Sequence, residues 1–187
     1  MCLRPQAFGS KSKVEASIGR ILISTEEIEA KVAELGARLA RDYQGRRPLL
    51  VALLKGSVIF LADLVRHIQL PLEMDFIAVA SYGQATASSG AVRILMDLAT
   101  DIAGRDVLIV EDIVDTGRTL EYILRHLWAR HPSSLRICTL LDKPSRREVE
   151  VPLDYVGFTI PNAFVVGYGL DYGERYRNLP YIAVMKA

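Results

Sequence analysis

DVLIVEDIVDTGRTL, residues Asp106 to Leu120, is the stretch whose reading decides the fold. Val107, Leu108, Ile109 and Val110 are aliphatic without a polar gap, as in a strand covered on both faces of a parallel sheet. Glu111 and Asp112 are expected at the carboxyl end of that strand. Asp115, Thr116, Gly117, Arg118 and Thr119 make a small polar turn. Thr119, Leu120, Ile123, Leu124 and Leu127 then resume with helical spacing, so the turn lies between a strand and a helix amino terminus. Open α/β sheets bind ligands at such places. A glycine and two hydroxyls at a helix start allow close backbone approach and offer unpaired amides to a phosphate. The neighbouring acids suit ribose hydroxyls or a hard cation such as magnesium. A carboxylate pair after a strand is by itself more often a solvated loop or a helix cap; the combination reverses that. No G-x-x-x-x-G-K-[ST] occurs in the chain, which sets the large ATPase class of phosphate loops aside.

Composition narrows the class. The 187 residues fit one domain, half of them are apolar, and the formal charge is +1. Near-neutrality argues against a broad basic surface for nucleic acid and leaves room for a phosphate-sized patch. The two cysteines, Cys2 and Cys138, read as stray or buried thiols in a reducing compartment. No segment approaches a membrane span, and Met1 to Lys13 lacks the apolar middle of a signal peptide, so a cytoplasmic protein is expected.

Outward from the central stretch, the chain alternates strands and helices. Residues up to Lys13 read as a loose terminus. Ile21 to Ile23 form a short strand, and Ser24 with Glu27 is a capping box for a helix whose face is Ile28, Val32, Leu35 and Leu39. Leu49 to Leu54 is a buried strand, Lys55-Gly56-Ser57 a turn, and Leu61, Leu64, Val65 and Ile68 a second helical face. Met74 to Ala80 and Arg93 to Asp97 read as strands on either side of SYGQATASSGA, a loop with little to bury. A further strand, Leu135 to Leu141, follows the central helix. This alternation implies a parallel sheet with right-handed crossovers. From Asp154 on, short strands around Val156 to Ile160, Phe164 to Val166 and Tyr181 to Met185 are expected to cap the sheet edge. His67, His126 and His131 lack metal-ligand spacing and are assigned no role.

The pattern of hydrophobic run, Glu-Asp, two apolar residues, Asp-Thr-Gly, one residue and Thr resembles the phosphoribosyl diphosphate signature of the type I phosphoribosyltransferases. Leu54-Lys55-Gly56, Asp75-Phe76 before Ser81-Tyr82, Leu141-Asp142-Lys143, and Phe164 to Tyr168 with Asp171-Tyr172 and Arg177 are similar to segments of the hypoxanthine-guanine branch. The resemblance covers about residue 20 to about residue 185. It implies a single α/β domain over 1–187, with a central parallel sheet flanked by helices and a small cap from both chain ends, to which 154–187 contribute. It also implies purine salvage. Phosphoribosyl passes from 5-phosphoribosyl 1-diphosphate to hypoxanthine or guanine, giving IMP or GMP and diphosphate.

In the family, Glu111 and Asp112 correspond to residues that hold the ribose hydroxyls, directly or through magnesium, and Asp115 to the acceptor of the base's proton. Asp115 as a plain helix cap is the competing reading. Thr116, Gly117, Arg118 and Thr119 would cradle the 5′-phosphate; relatives vary at the position of Arg118, so its backbone carries the role. Lys143 would donate to the purine 6-oxo group and reject adenine, since an unmet hydrogen bond costs about 1–3 kcal/mol. Phe164 would stack on the base and Val165 read its edge, although core packing is the plainer reading of Phe164. Asp171 resembles a second magnesium ligand beside the purine, with Lys55, Gly56 and Arg177 on diphosphate. Relatives also imply a cis Leu54-Lys55 peptide and homodimers or homotetramers.

Two rivals stand beside this reading. One is a xanthine-preferring transferase; the other is a regulator that kept the fold to sense nucleotides while binding nucleic acid. The chain shows no obvious basic stripe or spare helix-turn-helix for the latter. Ser81 and Tyr82 would begin a lid that keeps water from the electron-poor ribose. With that role, Tyr82→Ala lowers turnover in steady-state assays much more than it weakens base binding, and unchanged turnover refutes the lid.

Overall fold

The computed structural model describes residues 18–81 and 92–186. Met1 to Lys13 and Tyr82 lie outside them, as does most of the lid segment. The elements are β1 (Ile18–Ile23), α1 (Thr25–Asp42), β2 (Leu49–Leu54), α2 (Val58–Arg66), β3 (Glu73–Ser81) and β4 (Val92–Met96), then β5 (Asp106–Val114), α3 (Arg118–Trp128), β6 (Ser134–Asp142), β7 (Tyr155–Thr159), β8 (Val165–Val166) and β9 (Ile182–Met185).

Side-chain alternation along the buried strands builds the layers. Leu50 and Ala52 of β2, Leu108 and Val110 of β5, and Cys138 and Leu140 of β6 face a cluster with Ile28, Leu35 and Leu39 of α1 and Phe60 and Leu64 of α2. The intervening Leu49, Val51, Val107, Ile109 and Ile137 pack with Leu120, Ile123 and Leu127 of α3 on the other face. Cys138 is a buried free thiol in the first of these layers. The expected parallel sheet flanked by helices is therefore present.

Six strands lie in the order β4-β3-β2-β5-β6-β7, with β4 alone antiparallel to its neighbour. From β2 the chain steps outward to β3 and β4; from β5 it steps the other way to β6 and β7. The order reverses between β2 and β5, which opens a crevice at their carboxyl ends. Their pairing runs from Leu49↔Val107 to Ala52↔Val110 and ends there. Beyond it β2 turns away through a cis Leu54-Lys55 peptide.

Two expectations need correcting. Glu111 and Asp112 do not follow the strand: β5 continues to Val114, because its pairing with β6 persists from Glu111↔Thr139 to Val114↔Asp142 after β2 has left. The tail does not go wholly to the cap either. Tyr155–Thr159 pairs parallel with β6 as the edge strand of the main sheet, its Tyr155 buried against the α1 layer. The cap is a separate antiparallel sheet, β1-β9-β8, drawn from the two ends of the described chain. Among the described residues, no helix is long and apolar enough to cross a membrane.

The capping box at α1 is complete: Ser24 Oγ accepts from the Glu27 amide at 3.2 Å, and Glu27 Oε2 accepts from the Ser24 amide at 2.8 Å. Ser24→Ala is expected to lower stability by about 1 kcal/mol and the calorimetric Tm by about 2–4 °C; an unchanged Tm contradicts this account of the helix start.

Candidate active site

Two hollows meet at the crevice between β2 and β5. The larger, about 520 Å³, is lined by Lys55 and Gly56 after β2, Glu111 and Asp112 of β5, Leu95 of β4, and Asp171, Glu174 and Arg177 from the chain between β8 and β9. The smaller, about 90 Å³, is lined by Asp115, Thr116, Gly117 and Thr119 at the start of α3. Glu111 lines both. With Ala78 and Val79 of β3, the fold thus gathers residues from five separate stretches of chain around β5.

The small hollow has the chemistry of an anion cup. Gly117 caps α3 with a φ of +86° and offers the helix amides no side chain; the Arg118 amide has a long 3.4 Å contact to Thr116 Oγ1, and the positive end of the helix faces the hollow. Asp115 does not cap α3, and the competing reading falls. Glycine is required here twice over: the left-handed φ suits it, and a Cβ would collide with the Val149 carbonyl. That packing comes from the segment after β6, where the Glu148 and Val149 amides donate to the Thr116 carbonyl at 2.9 and 3.0 Å. Arg118 Nε donates to Glu148 at 2.6 Å, which turns its side chain from the cup.

Glu111 is 9% exposed, and its Oε2 has no hydrogen-bond partner among the described residues. Burial, with the neighbouring Asp112 charge, pushes its carboxyl well above the usual range. Burial likewise pushes Asp112 up to about 6. Asp112 lies so close to the β2 turn that a Cβ on Gly56 would collide with its carboxylate. Two acids of raised pKa in one cleft mark a site that a cation or hydroxyl donors would complete.

Lys143 is 7% exposed just past β6, with its amide bonded to the Val114 carbonyl at 2.9 Å. Its Nζ stands 3.9 Å from Asp115 Oδ2, and Arg146 Nε is 3.4 Å from Asp115 Oδ1. Asp171 Oδ1 pairs with Arg177 Nη2 at 2.7 Å. Phe164 is 55% exposed and meets Tyr172 edge to face, with ring centroids 5.7 Å apart, so core packing is not its role. Val165 is buried in β8. Neither Phe164, Val165, Lys143 nor Arg118 lines the two hollows. Three residues near the site escaped the sequence reading: Glu174, Arg146 and Glu148. Only Glu174 left a trace, an acid midway between Asp171 and Arg177 at spacings of three.

The phosphoribosyl transferase domain family matches residues 22–173, and the chain belongs to the phosphoribosyltransferase family. Within it the chain is a member of the hypoxanthine-guanine branch. It is 56% identical over 169 residues to the hypoxanthine-guanine phosphoribosyltransferase of Bacillus subtilis (strain 168), covering 90% of this chain and 94% of that protein. It is 51% identical over 179 residues to the bifunctional protein TilS/HprT of Listeria monocytogenes serotype 4b (strain F2365), 96% of this chain but only 28% of that longer protein. The crystal structure of a hypoxanthine phosphoribosyltransferase from Staphylococcus aureus superposes with a TM-score of 0.89 at 48% identity, covering 94% of this chain and 95% of that one.

The raised carboxyls have a thermodynamic consequence. A carboxyl whose pKa rises on folding keeps its proton to higher pH in the folded state, so stability falls as pH climbs from about 4 towards the Asp112 value of about 6. Asp112→Asn removes that penalty and is expected to stabilise the ligand-free protein by ~1–2 kcal/mol at pH 7.5, with the gain vanishing near pH 4. Thermal melts at the two pH values read this; equal melting of mutant and wild type at pH 7.5 contradicts it.

Proposed function

We propose that this chain joins hypoxanthine, and also guanine, to 5-phosphoribosyl 1-diphosphate, giving IMP or GMP and releasing diphosphate. The observation that carries the proposal is the pair of hollows sharing Glu111: a phosphate-sized cup and an acid-lined cavity with two cations, adjoining at one strand end. A ribose between a 5′-phosphate and a 1-diphosphate needs two such subsites side by side. Family membership supports the same reading.

In this reaction the bond from the anomeric carbon to diphosphate breaks and a bond to a purine nitrogen forms. Positive charge develops on the ribose and negative charge on the leaving group, so catalysis rests on positioning and electrostatics. Thr116 to Thr119 hold the 5′-phosphate through backbone amides and hydroxyls, while Lys55, Gly56 and Arg177 hold diphosphate. Asp115 takes the proton of the base, which makes the base a better nucleophile. Lys143 donates to the 6-oxo group, Phe164 covers the base, and the Val165 backbone reads its edge. Ser81 and Tyr82 begin the lid loop, whose closure during the reaction would keep water from the electron-poor ribose.

The donor set fits magnesium. Glu111, Asp112 and Asp171 offer hard oxygens, and Glu111 Oε2, without a partner among the described residues, lies buried at the junction of the hollows. Among the described residues, no three His, Cys, Asp or Glu side chains form a group able to hold a metal alone. Magnesium needs none: it keeps waters and shares one or two carboxylates with substrate phosphates. When bound, it would neutralise leaving-group charge and tie the ribose hydroxyls to the carboxylates. Assembly as a homodimer or homotetramer goes with this reading, as does a cytoplasmic location.

The test is diphosphate release from 5-phosphoribosyl 1-diphosphate against hypoxanthine, guanine, xanthine, adenine and uracil. Turnover is expected on hypoxanthine and guanine, abolished by chelator, with Asp115→Asn lowering kcat by about 10²-fold or more. A folded protein silent across the panel overturns the proposal, and a clear preference for xanthine replaces its base assignment.

A further inference from the structure

Glu174 lies in the same cavity and takes no part in the roles above. It belongs to the turn between Asp171 and Arg177, where its φ is +64° and its amide donates to Asp171 Oδ2 at 2.8 Å. That turn aims its carboxylate at the two cations assigned to diphosphate. Glu174 Oε2 is 3.1 Å from Lys55 Nζ and 3.5 Å from Arg177 Nη2. Lys55 comes from the β2 turn and Arg177 from the cap segment, so one carboxylate bridges two parts of the fold. Arg177 has further partners in Asp171 and the Gly169 carbonyl. Among the described residues, Lys55 forms its ion pair with Glu174.

We propose that Glu174 is an internal competitor for the diphosphate subsite, a carboxylate that engages Lys55 and Arg177 until the substrate's diphosphate displaces it. The inference rests on the assignment of those two cations to diphosphate. At neutral pH an exposed glutamate is ionised, so Glu174 is an anion on the two cations. Lys55 and Glu174 are both about two-thirds exposed. Such pairs are weak, and a ligand with several negative charges displaces them readily. The contact is therefore a threshold that favours multiply charged anions over single charges. After displacement, the Glu174 charge stays near the bound diphosphate and weakens its hold, which assists release of the product.

Inorganic diphosphate with magnesium, titrated as a competitor of 5-phosphoribosyl 1-diphosphate, reads this directly. Glu174→Gln keeps the side-chain shape and is expected to lower the inhibition constant roughly three- to tenfold, the worth of two exposed ion contacts. The gain should shrink at raised ionic strength. It should also fall to less than half in a Lys55→Met background, because the two residues act on each other. Glu174→Gly, which suits the left-handed backbone, should match Glu174→Gln. An unchanged or raised inhibition constant in Glu174→Gln, or an equal gain without Lys55, overturns the proposal. A wild type that turns over normally while Glu174→Gln is indistinguishable from it refutes only the role of Glu174. A wild type that neither binds diphosphate nor releases it from substrate refutes the subsite assignment as well.

Discussion

The contact on which this protein depends is the one between the Asp112 carboxylate and the backbone of Gly56. It joins the two strands at which the sheet order reverses, and it is possible because one residue has no side chain and the other is short. At this close approach the β2 turn, which carries Lys55, lies against Asp112 of β5. The cavity then takes its floor from β5, one wall from that turn and another from the cap segment with Asp171 and Arg177.

This arrangement sets stability against function. An apolar strand buried on both faces is the firmest place to mount a catalytic group and the least favourable for an ionised one. Val107 to Val110 anchor β5 in both core layers, and the next two residues are acids whose charged forms the fold disfavours. Hydroxyls or a cation reaching the carboxylates would offset that cost. The start of α3 follows the same logic with the opposite sign, since its glycine cap brings no acceptor side chain and an anion would supply one.

The sequence displayed much of this. Unbroken aliphatic runs gave β2 and β5 away, the S-x-x-E pattern marked the start of α1, and Asp-Thr-Gly before a helical stripe located the cup. The errors share a cause. β5 was expected to stop at Val110 because Glu111 and Asp112 are poor candidates for a strand interior, yet pairing with β6 carries them along. Residues 155–159 read like the short strands of the cap, but a parallel neighbour, absent from local pattern, claims them. For Phe164 only the competing reading, core packing, falls, since the residue is exposed ahead of a two-residue strand.

The sequence by itself determined the order of elements, the parallel sheet and the residues at the strand-to-helix turn, because burial periodicity and turn chemistry are local properties. Tertiary structure decided which of those residues share a cavity, since that follows from strand order and from loops distant along the chain. It brought Glu174 onto Lys55 and Arg177, turned Arg118 toward Glu148, and set Lys143 and Arg146 beside Asp115. Charge pairing between distant segments has no period to read; it exists only once packing has fixed the distances.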